Sequence, residues 1–352
     1  MSIHAILPEW KEKRLRNWWL GGKQATPCIA APVLKKDARV PQPDSLEMYW
    51  TDIDFIIEQK MAEMDQTVYY GCAVPYHYID QGASAMAGVL GCPLEFIDRE
   101  SLWAHPVSTT LDIAFQTRLD PMNPVYVRIK ELTQRSAAVA KDHHFVTHFA
   151  LEGMSDLLAA LYPIEEFLMD TLDRPDDMLR AVGHLNKLWL KAFTENQVRI
   201  DSSGNPGGVG WPGFWVPGST FPLQEDVAYN LQPSQFRELL LPALRERMAA
   251  MDCPFFHLDG IGMLPHLPAL LELNDLPVIQ WVPGAGKWKV DQWYGMIRQV
   301  IDAGKSIQLY VTADEVAPLV DEVGPDQLYL IIRDASHENM PTLLKRFPQE
   351  QI

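Results

Sequence analysis

The run "CPFFHLDGIGMLPHLPAL", residues 253–270, ends a short apolar stretch on a histidine and places an aspartate two residues later. In an extended strand alternate side chains share a face, so His257 and Asp259 point the same way. Imidazole beside carboxylate suits zinc or another first-row divalent ion. It suits equally a general acid–base pair in which the carboxylate orients the imidazole. Burying this pair without partners is costly, which argues for a role. The "GIG" that follows lets backbone approach closely and opens the next helix. Cys253 shares the parity of His257 but lies ~13 Å down the strand and reads as core.

Other candidates stand at the ends of further apolar runs. They include Tyr76 (with Tyr70, Cys72, His77 and Tyr78 around it), and His148 with Glu152. The stretch "GWPGFWVPGSTFPLQED" contributes Trp211, Trp215, Gln224, Glu225 and Asp226. Gln280 and Trp281, Tyr310 and Thr312, and Arg333 and Asp334 end the last three runs. Glu225 and Asp226 join His257 and Asp259 as candidate catalytic groups. Trp211, Trp215 and Trp281 read as flat walls of a binding mouth, with Gln224, Gln280, Tyr76, His148, Tyr310 and Arg333 as further substrate contacts. Each has a plainer reading. The aromatics suit core packing, His148 a satisfied buried histidine, Glu225 and Asp226 a helix cap, and Arg333 with Asp334 a local ion pair.

The elements that position these residues recur along the chain. Eight β-rich runs cover 27–33, 68–74, 144–150, 207–212, 254–259, 277–281, 306–311 and 328–333. Between them lie amphipathic stretches such as "SLEMYWTDIDFIIEQKMAEM" and "RPDDMLRAVGHLNKLWLKAF", apolar at helical spacing. Eight strands each leading to a helix predict a single (β/α)8 TIM barrel over 1–352, with a helical extension at 1–26. Extra helices are expected in the long insert between the second and third strands. An open doubly wound sheet gives the same alternation, but no GxGxxG follows the first strand. In a barrel, active sites gather at the C-terminal strand ends, where the candidates lie.

Composition bounds the function. Of 352 residues 47% are hydrophobic, enough for a large core. Thirty Lys+Arg against 46 Asp+Glu give a formal charge of −16, which repels nucleic acid and anionic lipid. No apolar stretch approaches the ~20 residues of a membrane span, and the N-terminus has the reverse polarity of a signal peptide. Cys28, Cys72, Cys92 and Cys253 show no CxxC spacing. They read as reduced thiols of a cytoplasmic protein.

Several segments resemble the uroporphyrinogen decarboxylase superfamily. "AMAGVLGCPLEFID" (85–98) is similar to its "G-x-P-V-E-F" segment, and "YPIEEFLMDTLDRPDDMLRAV" to its "FLMDLLERPE" stretch. "LQPSQFRELLLPALRERM" (231–248) and "FFHLDGIGMLPHLPALLEL" resemble consecutive helix and strand–loop–helix units. These scaffold features imply the barrel and a homodimer, and carry the reaction less far. True decarboxylases have an "RQAGRY"-like segment after the first strand, and "ATPCIAAPVLKKDARVPQ" here has none. A substrate with many carboxylates needs several placed cations, and Lys35, Lys36 and Arg39 match nothing residue by residue.

A second branch comprises cobalamin-dependent methyltransferases with His-x-Cys and a later Cys on zinc. His257 falls on that histidine and Asp259 on the first cysteine. No cysteine follows Cys253, so Asp334 at the end of the last strand is the expected third ligand. Carboxylates in place of thiolates make the site harder. A third branch shares "WWLGG", "GWPGFWVPGSTFPLQED" and "HLDGIG…IQWVPGAG" with this chain and carries no substrate with it.

The reading that follows is metal-assisted methyl transfer, zinc being the expected ion, between a small polar organic substrate and a corrinoid protein or cofactor. The alternative is a metal-independent decarboxylase or lyase acting on a small carboxylic acid or tetrapyrrole-like substrate. There His257 is the acid, Asp259 its orienter, and Arg333 or Lys35 the carboxylate anchor. A third is a small-molecule-binding barrel without catalysis.

Overall fold

Runs rich in Val, Ile, Leu and Phe form the central sheet of the computed structural model, which describes residues 5–284 and 286–350. Seven strands pair in the order Thr67–Gly71, Cys28–Leu34, Leu328–Ile332, Ser306–Val311, Val278–Val282, Phe255–Asp259 and Pro222–Leu223. The first long strand pairs with the last in parallel, Cys28 opposite Tyr329, in the interior of the sheet. Tyr76–His77 and Phe145–Val146 pair in parallel as a separate patch. Among the described residues the hydrogen-bonded ring is therefore not continuous, and no closed barrel forms. The architecture is a mixed α/β, barrel-like sheet with many helices.

Both faces of the sheet are covered, which is why its strands read as near-continuous apolar runs. Alternation sends Phe256, Leu258, Ile279, Trp281, Ile307 and Leu309 into the core beneath the surrounding helices. Their neighbours Cys28, Phe255, Val278 and Tyr329 form a second, inner core. The helix Glu9–Trp19 belongs to this inner core: buried Trp18 packs on Tyr329 with ring centroids 5.1 Å apart, and its Nε1 donates to the Gln327 carbonyl at 3.0 Å. The first four residues of the expected extension lie outside the described residues.

Three expected strands are placed differently, the run at 144–150 supplying only Phe145–Val146 in the separate patch. The run at 68–74 becomes Thr67–Gly71 and lies antiparallel to the first strand. Gly71 turns the chain there at φ +59, and a Cβ on it would stand 2.1 Å from the Ile29 carbonyl oxygen. The run at 207–212 supplies only Gly208–Val209, paired in a small hairpin with Trp215–Val216. The segment that joins the sheet instead is Pro222–Leu223, beside Phe255–Phe256. Glycines at 207, 208 and 210 lack the side chains that a strand covered on both faces must pack.

The long insert before Phe145–Val146 holds the helices Ala85–Val89, Asp112–Gln116 and Pro124–Ala140 and the hairpin Leu94–Phe96/Leu102–Ala104. The four cysteines are free and buried. No helix among the described residues is long and apolar enough to cross a membrane.

Candidate metal centre

The strand Phe255–Asp259 presents Phe255, His257 and Asp259 to one side by simple alternation. His257 is buried and Asp259, at the strand end, half-buried. Parallel register sets Gln280 of the next strand beside His257, and Gln280 Oε1 meets His257 Nδ1. An amide oxygen only accepts, so Nδ1 carries the proton and Nε2 keeps the free lone pair. The edge of Trp211 covers the imidazole, ring centroids 5.0 Å apart. Tyr76 holds that loop, its hydroxyl donating to the Trp211 carbonyl at 3.0 Å.

Asp226 reaches the same place from the turn after Pro222–Leu223. One ligand atom from each of Asp226, His257 and Asp259 lies within 4.8 Å of the other two. Gln224 Nε2 donates to Asp226 Oδ2 at 3.0 Å. Asp226 Oδ1 is buried and has no hydrogen-bond partner among the described residues. The turn itself is fastened by Asp156, whose carboxylate accepts the Val227 amide at 2.7 Å and the Asp226 amide at 3.2 Å.

Burial pushes the Asp226 carboxyl up to about 7, helped by the charges of Asp259 and Glu225. Burial likewise raises Asp156 to about 8, with Asp226 and Glu225 adding repulsion. The His257 imidazole is held below its ordinary value by desolvation. Crowded, buried carboxyl groups, one oxygen left unpartnered, and three convergent N and O donors together fit a divalent ion.

The third donor of this group is thus Asp226, expected as a catalytic group, and not Asp334. Asp334 is exposed, and its Oδ1 accepts the Ala313 amide at 2.8 Å. Glu225 is not free for proton transfer. It is fully buried, paired with Arg247 through Oε1, while Oε2 accepts both the amide and the hydroxyl of Ser155 at 2.8 Å.

Two tryptophans leave the expected mouth. Trp215 sits in the inner core beneath it, Nε1 bonded to the Pro206 carbonyl at 2.9 Å. Trp281 follows Gln280 and so faces the other way, into the outer core, edge-on to Trp293 at 5.2 Å. His148 is the satisfied buried histidine. It stacks on Phe193 at 4.5 Å, bonds Gln197 at 2.8 Å, and is lowered to about 4 by burial. Arg333 lies over the Trp288 ring, 3.4 Å from Glu315.

Tyr310, two residues along its strand from Gln308, stands on the inner side, its phenol raised by burial and by nearby Tyr76. Gly284 and Gly286 adopt φ +81 and +75, and Ala285 between them lies outside the described residues.

Two contributors carry only faint sequence signals. Asp156 stands three residues into the capping arrangement of the helix Met154–Leu161 and accepts the Gly153 amide at 2.9 Å, so it reads as a cap. Gln308 is level with Gln280 in the sheet and fully buried, its amide without partners among the described residues. The middles of "FFHLD", "VIQWV" and "SIQLYV" together form a polar rung across three strands, visible only when the register is known.

No protein-family model matches the chain, and no curated protein does. Among solved structures, it is similar to a methyltransferase from Methanosarcina mazei, with a TM-score of 0.60 and 14% identity. The likeness covers 95% of this chain and 97% of the other. At this identity it speaks for the fold.

Proposed function

We propose that this chain is an enzyme whose Asp226, His257 and Asp259 hold a divalent cation, zinc being the expected ion, for methyl transfer between a small polar organic substrate and a corrinoid protein or cofactor. The observation that carries the reading is the convergence of the three donors within 4.8 Å. The fold shared with the Methanosarcina mazei methyltransferase agrees with it. A divalent ion there supplies Lewis acidity, which stabilises the anionic form of the heteroatom that gives or takes the methyl group.

The chain's own residues do the positioning. Gln280 fixes the His257 tautomer, Asp156 and Gln224 fix the Asp226 turn and carboxylate, and Trp211 packs against the imidazole. The corrinoid protein, and a homodimeric assembly, belong to this proposal through the sequence resemblance. The test is spectroscopic: zinc-loaded protein is mixed with a methylated corrinoid and thiol, alcohol or amine acceptors. Zinc-dependent loss of the methylcobalt spectrum is expected. No change with any acceptor refutes methyl transfer.

A second reading, the metal-independent lyase, is favoured by one observation. An Asp226 carboxyl near 7 suits a general acid at neutral pH. It ranks second because its expected carboxylate anchors are engaged: Arg333 with Glu315 and the Trp288 ring, and Lys35 with the Asp65 carbonyl at 3.2 Å. Carbon dioxide release that survives chelation is its signature.

A further inference from the structure

Beside the three donors, and sharing Asp226 with them, lies a cavity of about 530 Å³. Trp103, Pro106 and Ile164 give it flat and aliphatic walls, while Glu152, Asp156, Glu165 and Asp226 supply carboxyl groups; burial raises Glu152, Asp156 and Asp226, a cost that a cation in the cavity relieves. The described residues that line it include no lysine, arginine or histidine. Glu152 is only 5% exposed, and its Oε2 accepts the Ala87 amide at 2.8 Å, which fixes the carboxyl on the wall. Asp226 Oδ1, buried and without a hydrogen-bond partner among the described residues, is an unmet acceptor at the boundary between cavity and donors.

An acidic pocket with an indole on its wall complements positive charge on an apolar body. It opposes a carboxylate, whose desolvation no cation here would offset. The chain's −16 charge works in the same direction at long range.

We propose that this cavity binds a small organic cation, a protonated or alkylated amine, with its nitrogen beside Glu152 and its carbon skeleton against Trp103 and Ile164. The assignment rests on the methyl-transfer reading for its link to catalysis. It narrows the small polar substrate to an amine or onium compound whose far end reaches Asp226. It also sets this chain apart from binders of polycarboxylates.

The test is calorimetric titration of the full chain after chelator treatment, so that cation binding is measured apart from any metal. Choline is the probe, 3,3-dimethylbutan-1-ol its neutral isostere, and 3,3-dimethylbutanoate the anion. Choline is expected to bind at least about tenfold more tightly than the neutral isostere, a preference of the size that charge recognition on an aromatic wall provides. The anion is expected not to bind. Glu152→Gln, close to isosteric, is expected to remove most of the preference for choline. Trp103→Ala, at an exposed hairpin position, is expected to weaken choline without unfolding the chain. Equal affinity for the isostere, preference for the anion, absence of choline binding, or an unaffected Glu152→Gln variant each overturns the proposal. Because metal is absent throughout, such a failure leaves methyl transfer standing, and failure of methyl transfer leaves the titration standing.

Discussion

Gln280 and His257 sit level on adjacent parallel strands, and the Gln280 amide oxygen meets His257 Nδ1. That contact decides which imidazole nitrogen is available to a ligand. Replacing Gln280 with Leu leaves ring orientation to chance and removes the acceptor. A hydrogen bond of this kind to a ligand imidazole is worth roughly 10–100-fold in metal affinity. Gln280→Leu is therefore expected to weaken zinc binding within that range, measured by competition with a chromophoric chelator, while Gln280→Glu retains an acceptor and most of the affinity.

The Arg247–Glu225 pair is fully buried, so its two halves depend on each other. Removing one partner strands a charge in the core, which typically costs about 3–5 kcal/mol. Arg247→Met is expected to lose that much in urea denaturation. Because Glu225 also holds Ser155 at the start of the helix that carries Asp156, zinc affinity should fall with stability. An Arg247→Met chain as stable as wild type would show that the pair is not structural.

The raised carboxyls make stability depend on pH in the metal-free protein. Asp226 titrates at about 7 in the folded chain, against ~4 in an unfolded one. The folded state therefore binds the proton more tightly. The stability this provides is full below about pH 4 and is lost as pH rises through about 7. Melting temperatures of metal-free wild type should fall between pH 5 and pH 8 more steeply than those of Asp226→Asn. Near neutral pH zinc binding should also release protons, seen as calorimetric heats that vary with the buffer's ionisation enthalpy.

How much of this was legible in the sequence differs by element. The strands at 255–259, 278–282, 306–311 and 328–332 lie where the apolar runs put them, because both of their faces are buried. The pairing of His257 and Asp259 follows from alternation alone. Alternation also separates Gln280 from Trp281, so the expectation that both line one mouth conflicted with strand geometry itself. The direction of Thr67–Gly71 is not written in its composition, since an antiparallel edge strand can carry the same Val and Tyr. Pro222–Leu223 is too short to show any period, and without it Asp226 had no strand end to stand on. Asp334 took its place because the family resemblance supplies a ligand from a late position.

In the proposed enzyme Asp226, His257 and Asp259 form one metal site. The most direct measurement is metal content by mass spectrometry on untagged protein after incubation with zinc and desalting, comparing wild type, His257→Ala, Asp226→Asn and Asp334→Asn. Near-stoichiometric zinc in wild type and in Asp334→Asn, with loss in His257→Ala and Asp226→Asn, is the expected result. Retention in Asp226→Asn with loss in Asp334→Asn, or no zinc in wild type, would contradict it.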